Sequence, residues 1–313
     1  MERGWRASRN FRVTTKRSLS VTAIVVLALC VGVKTLSTGP AAPETAGAAG
    51  DMGRIAFSRD DGALSDDVFI VDLATTRVRR LTAGKRKEWD PDLSPNGRRI
   101  VYRRNPDPTS DAADIWVMSA DGRSKRNLTR SPRDDNWSPA WSPDGTRIAF
   151  SSKRGGGEPS IWVMSANGRG SHHVAAGPGE YPDWSPDGNQ LVFAAARTSG
   201  TYDIYTVRLD GTDLKRLTQD PATDFAPVWS PDGKTIAFQS DRDDRWHVWL
   251  MDADGSNQRR LPHGEEEGAW PAWISAGRLA YAGDGLVIVN IDGSQERRLN
   301  LRPRGAELLS FGP

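Results

Sequence analysis

The chain has 313 residues, 37% hydrophobic and 26% charged, with 31 glycines, 20 prolines and 12 tryptophans. This composition suits a globular body rich in turns and flat packing surfaces, and favours an all-β reading. The net charge of +2 is unevenly placed: the first 34 residues hold seven basic residues against Glu2, leaving 35 basic and 39 acidic residues in the remainder. A mildly acidic body is a poor nucleic-acid partner, and the lone cysteine, Cys30, excludes an intramolecular disulfide and a cysteine-based zinc cage.

In chain order, residues 1–18 form a basic segment and residues 19–34 contain the apolar run LSVTAIVVLALCVGV. That order is the pattern of a signal peptide or a membrane anchor, with the basic end cytoplasmic and all that follows exported. Leu29 stands where lipidation of Cys30 wants a small residue, and no good A-x-A site lies close to the run, so the expectation is a helical anchor that is retained rather than cleaved. Residues 35–52, rich in Ala, Gly, Pro and Thr, read as a flexible spacer. The body is then residues 53–313, on the extracytoplasmic face of the membrane, either tethered or released after signal cleavage.

The body repeats itself. PDLSPNG at 91–97, PAWSPDG at 139–145, PDWSPDG at 182–188, PVWSPDG at 227–233 and PAWISAG at 271–277 stand 48, 43, 45 and 44 residues apart. A fixed period in the forties filled with short apolar runs is the signature of radially arranged four-stranded blades. Each anchor is followed by a short run (RIVY, RIAF, LVF, IAF, LAY), then a third strand (IWVM, IWVM, IYTV, VWLM, LVIV), then an outer strand ending in sequences such as RNLT or KRLT. No segment has a sustained 3.6-residue period. In Ser142-Pro143-Asp144-Gly145 the proline pre-sets φ and the glycine supplies a positive φ, so the anchor reads as a hairpin with its tryptophan buried between blades. Asp121-Gly122 and its counterparts read as tight turns between third and fourth strands.

At the N-terminal end of the body, RIAFS at 54–58, VFIVD at 68–72 and RRLT at 79–82 supply three strands with no innermost one, while ELLSFGP at 307–313 aligns with an anchor that has nothing after it. The expectation is an all-β, six-bladed β-propeller of four-stranded antiparallel blades, closed by the C-terminal strand beside Ile55–Phe57.

These repeated PxWSPDG, IAF, IWVM and RRLT segments resemble the WD40-like propeller repeats of TolB and of the non-catalytic propellers in oligopeptidase-type enzymes, over residues 54–313. The resemblance implies a propeller that binds proteins or peptides in the bacterial envelope and has no reaction of its own. TolB carries an α/β domain between signal peptide and propeller, where this sequence has only the spacer 35–52. An oligopeptidase adds a hydrolase domain with a G-x-S-x-G elbow, for which the sequence has no match.

The candidate site is a channel mouth. Around the anchor prolines, where the chain enters each innermost strand, stand Trp89, Trp137, Tyr181, Phe225 and Trp270, with Glu88, Asp90, Asn136, Glu180 and Asp224 beside them. Six-fold related blades bring such positions together as a rim of rings interleaved with carboxylates, which suits a peptide or a cationic group. The four histidines, His172, His173, His247 and His263, fall away from the innermost strands and read as solvent-facing. The Asp60, Asp61, Asp66, Asp67 group and the Asp241, Asp243, Asp244 group lack the spacing of a calcium loop, and with Glu265–Glu267 read as wet hairpin loops. No catalytic residue, metal or cofactor is expected, and the partner is a protein or peptide of the envelope bound by a monomeric propeller. The alternative is a hydrolase or lyase acting on peptide or carbohydrate in the channel, which needs two titratable groups meeting at one point.

Overall fold

A computed structural model of the chain describes residues 31–32, 53–60, 66–106, 112–131, 134–174, 177–262, 267–283, 285–299 and 301. They build six blades of four antiparallel strands. Blades two to six start with the innermost strands Glu88–Leu93, Asn136–Trp141, Glu180–Trp184, Asp224–Trp229 and Ala269–Ser275, and each blade steps outward through two central strands to a short outer one. Blade one has Arg54–Asp60, Asp66–Asp72 and Val78–Arg80 in its second, third and outer positions. Its innermost position differs from the expectation. Beside Ile55–Phe57 lies Val31–Gly32, with Val31 opposite Phe57 and Gly32 opposite Ala56, and Gly32 also pairs in parallel with Asp92 of blade two. The end of the segment read as a helical anchor is thus a strand here. Residues 1–30 and the segment 307–313 expected in that slot lie outside the described residues.

The central strands are apolar on both faces because both faces are covered. On the Arg54–Asp60 strand, Ile55 and Phe57 enter a cluster with Ile274, Leu286 and Ile288 of blade six, while Ala56 enters another with Leu93, Ile100 and Tyr102 of blade two. The same alternation places one apolar seam between every pair of neighbours around the ring. The seam between blades six and one closes the circle, joined by an Arg297 Nη1 hydrogen bond to the Leu73 carbonyl at 3.4 Å and by another from Arg59 to the Leu301 carbonyl. The outer strands expose Arg, Lys and His side chains, which discourages pairing at the ring's rim.

The anchor hairpins form as the sequence predicts. Gly145 has φ of 68° and donates its amide to Ser142 O at 2.8 Å, with Ser142 Oγ accepting from the Arg147 amide at 2.9 Å. Trp141 and Trp184 are buried, and the guanidinium groups of Arg99 and Arg147, each one blade back, lie 4.6 and 4.7 Å from their rings. The second repeated glycine works differently. In the turns between third and fourth strands, a Cβ on Gly122, Gly168 or Gly211 would stand 2.8 Å from the carbonyl oxygen of Leu81, Leu128 or Val174 in the preceding blade, so backbone meets backbone there.

Candidate functional site

The residue that precedes each anchor proline decides what lines the axis. Asp90, Ser138, Tyr181, Ala226 and Trp270 all have left-handed backbones, with φ between 47° and 56°. A residue before proline ordinarily stays extended, and a non-glycine residue in this region costs about 1–2 kcal/mol. The ladder is interrupted at this point in every one of these innermost strands, as between Trp89 and Asp92 or Phe225 and Val228. Each strand therefore carries a bulge that re-aims one side chain.

Side chains of the blade behind hold three of these bulges. The Ser138 amide donates to Asp90 Oδ2 at 3.0 Å, the Tyr181 amide to Ser151 Oγ at 3.1 Å and the Trp270 amide to Gln239 Oε1 at 3.0 Å. The outcome is a ring of five side chains at one level of an axial channel of about 630 Å³, whose wall continues through the anchor prolines to the hairpin turns. Tyr181 and Trp270 come from blades four and six, yet their rings lie 5.2 Å apart, because the intervening blade offers only Ala226 at this level. Phe225 backs them at 4.6 and 6.3 Å, and Tyr202 meets Phe225 edge-on at 4.8 Å.

One level deeper, the residue after the anchor proline alternates in kind. Asp92 and Asp183 accept the main-chain amides of Trp141 and Trp229 in the next blade, at 2.6 and 2.8 Å. Where that residue is Ala140 or Val228, its own carbonyl instead accepts the indole N–H of Trp184 or Trp273, both at 3.1 Å. Among the described residues, Asp90, Asp92 and Asp183 are the charged groups lining the channel.

Of the nine candidate side chains, Asp90, Tyr181 and Trp270 line the channel and Phe225 supports it from behind. The other five lie elsewhere. Trp89 donates its indole N–H to Asp66 and lies under Lys87 and Arg103. Trp137 is buried and donates to Glu180 Oε2 at 3.2 Å. Glu180 also accepts from the Tyr202 hydroxyl at 2.9 Å, and burial pushes its carboxyl above the usual range against these hydrogen bonds. Glu88 is buried against Arg104 at 3.0 Å and is likewise raised by burial. Asp224 is buried against Arg242 at 2.7 Å. The neighbouring Asn136 is buried too. The physical reason is register: Trp89, Trp137 and Phe225 stand two residues before the proline, Tyr181 and Trp270 one, and the bulge sends only the latter position to the axis. Ser138 and Ala226, and the supporting Ser151 and Gln239, were missed; counting back one residue from every proline finds the first two.

The remaining polar candidates divide in the same way. His172 and His173 are exposed on an outer strand, but His247, read as solvent-facing, is buried, with Nδ1 3.9 Å from Asp243. Burial and the nearby Arg260 charge lower its pKa. Asp67 is not a wet loop residue either: it is fully buried, paired with Arg80, and accepts from Thr82 Oγ1 at 3.1 Å. His263, Asp61, Glu265 and Glu266 lie outside the described residues. Among the described residues, no three His, Cys, Asp or Glu side chains gather as a metal site, and no helix is long and apolar enough to cross a membrane.

Comparison with known proteins agrees with this architecture. The chain matches the model of the TolB beta propeller domain twice, over residues 51–181 and 170–301. It is 38% identical over 146 residues to the Tol-Pal system protein TolB of Bordetella pertussis, a match spanning 46% of this chain and 33% of that protein. It is 26% identical over 183 residues to the uncharacterized peptidase YuxL of Bacillus subtilis, spanning 58% of this chain and 26% of that one. The chain thus spans well under half the length of these relatives. The crystal structure of TolB from Acinetobacter baumannii superposes with a TM-score of 0.65 at 21% identity, covering 77% of this chain and 62% of the other, which is a likeness of fold. With the anchor repeat, the six seams and a family match running through nearly all of the propeller, the chain belongs to the TolB β-propeller domain family.

Proposed function

We propose that this propeller is a non-catalytic binding module of the bacterial envelope, on the extracytoplasmic side of the membrane, and that it takes an extended segment of a partner protein into its axial channel. The observation that carries the reading is the bulged ring. Five innermost strands each adopt an unfavourable backbone at the same position, and the side chains so aimed include two large rings held in contact at the mouth of a cavity of about 630 Å³. Rigid aromatic anchors held in place before a partner arrives are what gives a protein interface its affinity. The likeness to a Tol-Pal system protein of Bordetella and the basic-then-apolar N terminus support the location.

The test is photo-crosslinking in intact envelopes, from a photoreactive residue at Ala226, with the full chain and with its Tyr181→Ala/Trp270→Ala variant. Capture of a defined protein is expected, falling by about tenfold or more in the double variant. Undiminished capture by a folded double variant overturns the channel as the site.

The match to a peptidase favours a second reading, a hydrolase or lyase in the same channel. Asp90 and Asp92, flanking Pro91 on one strand, are the titratable pair it would use. Turnover of peptide or oligosaccharide by the purified chain, lost in Asp90→Asn, decides for it; binding without turnover decides for the module.

A further inference from the structure

The channel mouth is lopsided. In a ring of six, blade two lies across the axis from blade five, so Asp90 stands opposite the side where the Tyr181 and Trp270 rings meet in front of Ala226. The carboxylate is held by its Oδ2, which accepts both the Ser138 amide at 3.0 Å and the Ser138 hydroxyl at 3.4 Å, so Oδ1 keeps its lone pairs for a ligand. The rings are fixed by Phe225 behind them and by the Gln239 and Ser151 bonds to their own amides. Deeper in the same cavity Asp92 and Asp183 add negative charge, and among the described residues no Lys, Arg or His lines it.

Resting on the peptide-binding reading above, we infer that the channel selects a lysine or arginine side chain on the bound segment, seated between the Tyr181–Trp270 ring pair and the Asp90 carboxylate. A cation over an aromatic face gains from the ring quadrupole, and the gain rises as water is excluded. A carboxylate facing that position turns the contact into a charge-assisted hydrogen bond and fixes its direction. The same field opposes an acidic segment, because a further carboxylate would enter a cavity lined by three others. The apolar proline wall accommodates the extended backbone on either side of the cation and contributes no selectivity of its own.

Selection of a random peptide library on the full chain tests this, with recovered peptides re-measured against Asp90→Asn, against Tyr181→Ala/Trp270→Ala, and after replacement of each arginine by citrulline. The expected result is enrichment of Lys or Arg at one position, and affinity that falls about tenfold in Asp90→Asn and on citrulline substitution. Asparagine keeps an acceptor for the Ser138 amide, and an unchanged near-ultraviolet circular dichroism spectrum shows that the variant is folded. Peptides that need the two rings but show no basic enrichment, or that bind Asp90→Asn equally well, overturn this inference and leave the binding module standing. Recovery of no peptide that depends on the rings overturns both.

Discussion

Gln239 of blade five accepts, through its Oε1, a 3.0 Å hydrogen bond from the main-chain amide of Trp270 in blade six. The side chain is 5% exposed and the amide belongs to a left-handed residue at the channel mouth. Gln239→Leu keeps the volume near its original value and removes the acceptor, which leaves a buried N–H without a partner. The expected cost is about 1–3 kcal/mol, read as a lower urea midpoint. Because the bulge that aims Trp270 loses its support, ligand capture should fall as well. Unchanged stability and capture would show that the bulge is held by the proline and the ladder alone.

Most of the fold is legible in the sequence because propeller blades write their turns into it. Ser142-Pro143-Asp144-Gly145 encodes its hairpin in four residues, and the spacing of five anchors encodes the ring. The mouth is legible only in part, for a reason of register. Strand periodicity puts Trp89 and Asp90 on opposite faces without saying which one meets the axis, and a bulge adds one residue and breaks the count. No propensity marks Ser138 or Ala226 as left-handed, and at Ser138, Tyr181 and Trp270 the bulge is supported by a side chain of the preceding blade that local sequence does not reveal. Likewise the buried Asp67 and His247 look like surface residues in sequence, because the Arg80 and Thr82 that enclose Asp67, and the Arg260 beside His247, arrive from the following strand.

The two uses of glycine can be separated by a matched pair. Gly122 and Gly200 both have φ of 86°, but a Cβ on Gly122 stands 2.8 Å from the Leu81 carbonyl, whereas one on Gly200 has nothing within 4 Å. Gly200→Ala should cost about 1 kcal/mol, the left-handed penalty alone. Gly122→Ala should cost about 2 kcal/mol or more beyond that, because the contact is with backbone and the blade must shift. Equal losses in chemical denaturation would mean that adjacent blades slide freely at their outer turns.

Glu180 supplies a test by pH. Burial raises its carboxyl above the usual glutamate range, so between the unfolded and folded values the native state holds the extra proton. Stability from this group is fully present below the unfolded value and is lost as pH rises through the folded one. Glu180→Gln removes the titration while keeping an amide that can serve Trp137 and Tyr202. The variant should be more stable than the parent at neutral pH, with the difference closing as the solution is acidified through the glutamate range. A constant difference across that range would mean that Glu180 is no more costly to ionise in the fold than in the open chain.

The last seam of the ring is made from the two ends of the propeller, yet it is built like the others. Phe57 is fully buried, stacks on Phe69 at 5.6 Å and shares its cluster with Ile274, Leu286 and Ile288 of blade six; Phe150 is fully buried in the seam between blades two and three. Truncating a buried phenylalanine costs about 3–5 kcal/mol when the surroundings cannot collapse into the space. If closure is as tight as the interior of the ring, Phe57→Ala and Phe150→Ala should lower stability by similar amounts, measured as changes in urea midpoint at constant slope. A much smaller loss for Phe57→Ala, or a reduced slope in that variant alone, would mean that blades six and one part readily and that the circle is held by its interior seams.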